Sequence, residues 1–180
     1  METLNLDELV RECQKGHAVA QRKLYERLAS KLFAVCLRYA ANRAEAEDFL
    51  QDGFVKIFTK IGQFKFNGSF EGWARRIMVN SAIESCRKMN MVFAVDEIKE
   101  YDTQFSADDA LSRLSYNELL QMVQALTPQY RTVFNLYAIE GYSHQEIGQM
   151  LNITESTSKS NLLRARNVLK ERVDALYKGR

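Results

Sequence analysis

The chain has 180 residues, room for one domain or two small ones, and 46% of them are hydrophobic, enough for a core. A single proline favours helices, and no apolar run reaches the roughly eighteen residues that a membrane-spanning helix needs. The net charge of +2 is uneven: residues 1–90 hold 15 Lys and Arg against 11 acids, 91–125 hold 2 against 7, and 126–180 hold 8 against 5. Two basic blocks therefore flank an acidic joint, and each basic block suits a phosphate backbone.

The opening METLNLDELV lacks a basic stretch followed by an apolar one, so a soluble cytoplasmic protein without membrane insertion is expected. Cys13, Cys36 and Cys86 are odd in number, widely spaced and without a CxxC pair. They read as buried or half-buried free thiols, with no disulfide framework, metal or cofactor expected.

In chain order, the first block reads as wholly helical. From Ala18 to Tyr39 the apolar positions Leu24, Leu28, Leu32, Val35 and Tyr39 follow a period near 3.6. A second helix is predicted over Ala44–Ile61, with Phe49, Leu50, Phe54, Ile57, Phe58 and Ile61 inward. Residues 62–72 hold three glycines with Asn67 and Ser69, which is loop chemistry. A third helix is predicted from about Ser69 to Lys88, buried through Phe70, Trp73 and Ile77.

Residues 91–112 have weak periodicity and the acidic charge, and read as a linker. Tyr116–Leu126 is predicted as a helix, and Thr127-Pro128 as the cap and first residue of the next. That helix is expected to reach about Glu140 and stop at Gly141. The fold class is all-α, with helical domains at 1–90 and 114–180 joined by a flexible acidic linker at 91–113.

Ser143-His144-Gln145-Glu146 is a capping box that opens a short helix with Ile147, Met150 and Leu151 inward. Asn152-Ile153 turns the chain, and Thr154 caps the next helix, whose inner stripe is Ser158, Leu162, Ala165 and Leu169. Its other side carries Ser156, Thr157, Lys159, Ser160 and Arg164, with Arg166 near the edge. Short hydroxyls reach base edges and cations reach guanine or phosphate, which is what a recognition helix needs. A merely solvated amphipathic helix is the alternative. His144 is expected to be exposed, and His17 to be a loop residue beside Gly16.

The string Glu140–Gly148 followed by Thr154–Ser160, Arg164, Ala165 and Arg166 resembles region four of RNA polymerase sigma factors, across about residues 114–175. Residues 18–90 resemble region two of the same family through Ala46–Val55 and Phe64–Asn80. The short linker leaves no room for the central domain of larger members, so the chain resembles the extracytoplasmic-function subgroup. Three positions depart from the pattern. Asn152 stands where glycine is frequent but tolerates a left-handed backbone. Ser158 replaces a usual apolar residue, and Asn161 replaces a frequent arginine, removing one phosphate contact.

The resemblance implies roles. Asp48, Gln51, Asp52 and Phe54 would grip the β′ clamp coiled coil of core polymerase, with region four on the β flap. Four acids in residues 45–52 of a basic block fit docking to a basic partner. Phe64, Lys65, Phe66, Asn67, Ser69, Trp73, Arg75 and Arg76 would melt and hold the −10 element as single strand, while Asn80, Arg87 and Lys88 would meet the −10 duplex or its phosphates, Asn80 being the foremost base contact of these three. Aromatic faces stack on unpaired bases and cations hold their backbone. Phe70 and most of the Trp73 ring are expected in the core, leaving Phe66, Asn67 and Ser69 as the better base contacts.

Thr154, Ser156, Thr157, Lys159, Ser160, Arg164 and Arg166 would read the −35 duplex. An anti-sigma factor or another regulatory partner is expected as well. The acidic linker would mimic nucleic acid inside a polymerase channel, or serve only as a tether. The competing function is a helix-turn-helix regulator that is not a polymerase subunit. Catalysis is not expected, since no GxSxG, HExxH or Gly-rich phosphate loop occurs.

Overall fold

The computed structural model describes residues 4–88 and 116–178, and within these ranges regular structure is helical throughout. The chain divides into two compact units, Met1–Met89 and Asn90–Arg180. The expected linker at 91–113 lies outside the described residues.

The first unit begins with α1, Leu6–Gln14, which the sequence reading did not separate. Asn5 and Glu8 form a capping box at its start, and Leu9, Val10 and Cys13 turn inward. α2 spans Ala18–Tyr39 and buries every position of the predicted stripe, together with Ala20 and Cys36. α3 spans Arg43–Lys60 behind an Asn42 cap and buries Ala46, Phe49, Leu50, Gly53, Phe54 and Ile57. A 3₁₀ turn, Ile61–Gln63, leads to the loop before α4, Phe70–Lys88.

α2, α3 and α4 pack on one another, and α1 closes onto α2 and the 3₁₀ turn. Gly53 lets α3 approach α4, since a methyl group there would overlap the Met78 thioether. All three cysteines are buried and free, as expected. Burial pushes the Cys13 thiol up to about 11 and the Cys36 thiol up to about 12, so both stay protonated at neutral pH.

The second unit holds α5, Tyr116–Gln124; α6, Pro128–Phe134; α7, His144–Leu151; and α8, Glu155–Lys178. Thr127 and Pro128 start α6 as predicted. The helix does not continue regularly to Glu140. At Asn135–Ile139 it widens into a π turn. Buried Asn135 donates its side-chain amide to Arg131 O (2.9 Å), competing for a helical acceptor, and the ladder shifts so that Glu140 N–H reaches Asn135 O (3.0 Å). Gly141, at φ 78°, then ends the run.

Two arginines close the carbonyl end of α5. Arg131, 2% exposed, donates to Gln124 O (2.7 Å), and Arg172 of α8 donates to Met122 O (2.9 Å) and Ala125 O (3.0 Å). These orphan carbonyls thereby gain charged donors, which ties α5 to α6 and α8.

Candidate nucleic-acid interface

α7 and α8 form the predicted helix-turn-helix. The Ser143–Glu146 capping box is present, and its backbone and hydroxyl donors hold the Glu146 carboxyl below its usual range. Asn152 is left-handed (φ 56°, ψ 47°), as the turn requires. Ile153 N–H returns to Gly148 O (3.0 Å). Thr154 Oγ1 accepts from Thr157 N–H (3.0 Å) and caps α8.

Along α8, Ser158, Asn161, Leu162 and Ala165 are buried against the unit. Position 161 is therefore turned inward in this protein and is no phosphate-facing site. Thr154, Ser156, Lys159 and Arg166 are exposed, and Thr157 and Ser160 are half-buried. Ser156, Lys159 and Arg166 fall on one side at helical spacing. Lys159 meets Glu155 at 2.6 Å, and this bond is the chief reason that the Glu155 carboxyl sits below its usual range. Arg164 is half-buried and points its guanidinium toward Tyr130 Oη (3.4 Å), so it braces α8 against α6.

His144 is half-buried, not exposed as the sequence suggested. Its ring stacks on Tyr137 (centroids 4.5 Å, 19°), and Nδ1 lies 2.9 Å from the Ser158 hydroxyl. Ser158 is 0% exposed, so the hydroxyl that replaces the family's usual apolar residue finds its partner on α7. Burial is the main cause holding His144 below its ordinary value, and Lys159 and Arg166 push the same way against Glu155. The positive end of α7 adds to this.

The folded state thus favours neutral His144. Its contribution is complete above the ordinary histidine value of about 6.5 and is lost as pH falls toward the lowered folded value. Urea midpoints of the second unit should drop between pH 7 and 5 more in the native chain than in His144→Gln. Equal pH slopes in both proteins would contradict this.

In the first unit, an open groove of about 470 Å³ is lined by Gln63, Phe64, Lys65, Asn67, Ser69, Gly72, Trp73 and Arg76. Six of these were predicted. Gln63 and Gly72 were not, although each sits beside the loop's glycine-rich stretch. Phe66 and Gly68 have positive φ (60° and 118°), which folds the loop back over α4.

Phe64 is 7% exposed and its ring is packed by Phe66 (5.0 Å), Phe70 (5.1 Å) and Trp73 (5.5 Å). It forms the groove floor and offers no free face. Phe66 is half-buried beneath the Arg11 guanidinium (4.0 Å from the ring centroid). Trp73 is half-buried, as its mixed reading implied, and Lys65, Asn67, Ser69 and Arg76 are exposed around it.

Further along α4, Trp73, Arg76, Asn80 and Arg87 share one face. Asn80 and Arg87 are exposed, and the Lys88 side chain lies outside the described residues. Glu84 is near this face but meets Lys56 of α3 (2.7 Å). Arg75 points elsewhere, lining a smaller cavity of about 280 Å³ with Lys31, Glu71 and residues of α2.

On α3, Asp48, Gln51 and Asp52 are all exposed and lie together. Phe54 is not part of that surface. It is 3% exposed and sits at 4.5 Å from Tyr25 and 5.8 Å from Phe58, fastening α3 to α2. Val55, 66% exposed on the acidic face, was missed. An apolar residue among acids one turn from Asp52 is the signal that marks it. Glu47, one turn before Gln51, is paired with Arg43 (2.9 Å).

Residues 24–90 match the family Sigma-70 region 2, and residues 116–169 match the family Sigma-70, region 4. The groove falls in the first segment and the helix-turn-helix in the second. The chain is 30% identical over 176 residues to the ECF RNA polymerase sigma factor SigW of Bacillus subtilis (strain 168), covering 91% of this chain and 94% of that one. It is 24% identical over 182 residues to the ECF RNA polymerase sigma-E factor of Escherichia coli (strain K12), covering 94% and 95%. Its fold resembles the sigma factor RpoE of Bartonella quintana, solved with the anti-sigma factor NepR (TM-score 0.51, 20% identity, 83% of this chain and 94% of that one). By sequence over nearly its whole length, the chain belongs to the extracytoplasmic-function RNA polymerase sigma factors.

Proposed function

We propose that the two units divide promoter recognition between them after core RNA polymerase takes up the chain. The exposed Asp48, Gln51, Asp52 and Val55 face docks on the β′ clamp coiled coil, and the second unit on the β flap. Ser156, Thr157, Lys159 and Arg166 read the −35 duplex. The groove around Trp73 receives an unpaired −10 base, with Arg76, Asn80 and Arg87 on the flanking strand or duplex. Binding energy drives the melting, the chain performs no catalysis of its own, and it acts in the cytoplasm where polymerase works.

One observation carries this reading: the chain holds a helix-turn-helix in one unit and an open aromatic groove edged by cations in the other. A helix-turn-helix suits duplex DNA, whereas an open groove edged by one indole and by Lys65 and Arg76 suits a single strand. A simple regulator needs only the first. The solved relative's complex with an anti-sigma factor supports a regulatory partner for this chain as well. Run-off transcription with purified core polymerase tests the proposal, through initiation that depends on the chain.

A further inference from the structure

The groove loop is held from outside the region that matches the family. Gln14, the last residue of α1, uses its one side-chain amide twice, donating to Ile61 O (2.9 Å) and to Phe64 O (2.9 Å). One turn earlier on the same face, Arg11 lays its guanidinium over the Phe66 ring at 4.0 Å. Phe66 itself has φ 60°, a conformation that non-glycine residues adopt only when their surroundings enforce it. α1 is a rigid base for both side chains, because Leu9, Val10 and Cys13 are buried beneath it.

Lys65 and Asn67, which line the groove, flank Phe66 in the chain, so fixing Phe66 fixes both. We propose that Gln14 and Arg11 are positioning residues that hold the 61–67 loop open over Trp73 before any nucleic acid arrives. This rests on the reading of the groove as the single-strand site. A preformed pocket spares the strand the ordering of its receptor, so the clamp acts on capture of the base and leaves duplex binding alone.

The test uses the full chain. Trp73 is the only tryptophan, so its emission and its quenching by acrylamide report directly on the groove. Gln14→Met keeps the size and removes both donors, and Gln14→Arg restores donors to the carbonyls. The expected result is a changed Trp73 quenching constant in Gln14→Met, with cooperative unfolding retained and the urea midpoint lowered only modestly. With core polymerase, Gln14→Met should form about tenfold fewer permanganate-reactive open complexes on a promoter the native chain opens, with −35 protection unaltered. Gln14→Arg should recover most of the loss, and Arg11→Ala should fall in the same direction as Gln14→Met.

Unchanged quenching in Gln14→Met overturns the proposal, as does altered quenching with native promoter opening. A gain of opening in Arg11→Ala also overturns it, because Phe66 would then be a base platform that Arg11 covers. If the native chain opens no promoter, the groove reading fails instead, and the quenching comparison alone decides whether the clamp shapes the pocket.

Discussion

Gly148→Ala is expected to abolish nearly all promoter-directed transcription by breaking the helix-turn-helix. A Cβ at this position would lie 2.8 Å from Ile153 O, a backbone atom. That backbone has no freedom to retreat, since Ile153 N–H is bonded to Gly148 O and Asn152 is already left-handed. Alanine gains about 0.5–1 kcal/mol of helix propensity. Overlap with fixed backbone costs about 3 kcal/mol or more, so the net change is strongly destabilising.

Gly53→Ala supplies the contrast. There the overlap is with the flexible end of Met78, which has other rotamers, so a cost of about 1–2 kcal/mol is expected although the clash is closer. Urea unfolding of both variants checks the ordering. Similar losses, or a milder loss for Gly148→Ala, would show that the turn yields.

The second large effect is a loss of polymerase binding without a loss of fold. Asp48→Arg combined with Asp52→Arg should weaken co-purification with core enzyme by about a hundredfold, taking each reversed contact as about 1–3 kcal/mol. Both side chains are exposed on α3. The urea midpoint should therefore stay within about 0.5 kcal/mol of native. Phe54→Ala is the instructive control. Its ring is buried between α2 and α3, so it should cost about 3–5 kcal/mol of stability and lose binding only through unfolding. Native co-purification by the double variant would remove the acidic face from the docking surface.

Much of this architecture was readable from local pattern. The Ala18–Tyr39 stripe, the Thr127-Pro128 start, the Ser143–Glu146 box and the Asn152 turn each depend on residues within a few positions of one another. Short-range stereochemistry decides such features. α1 carried the same kind of signal in Asn5 and Glu8, but its short apolar run was absorbed into a generally helical block.

Long-range packing hid the rest. Phe64 and Trp73 look alike as aromatics beside a loop, and only the fold makes one the floor and the other the rim. Phe54 sits among acids in sequence yet turns its ring to Tyr25, twenty-nine positions earlier. Arg164 was read as outward-facing, but Tyr130 of α6 lies beside it. The His144–Ser158 bond pairs two departures from simple expectation across fourteen residues, and neither position reveals the other. The π turn at Asn135 follows from a buried amide that sequence pattern treats as an ordinary polar position.

Run-off transcription separates a polymerase subunit from a simple DNA-binding regulator. Purified core polymerase is incubated with and without the chain on a library of candidate promoters. Initiation is expected at discrete start sites and only with the chain present, from templates sharing one upstream duplex element and one melted element. Stable binding of the free chain to duplex DNA, with no association with core and no dependent initiation, would contradict it and establish a simple helix-turn-helix regulator.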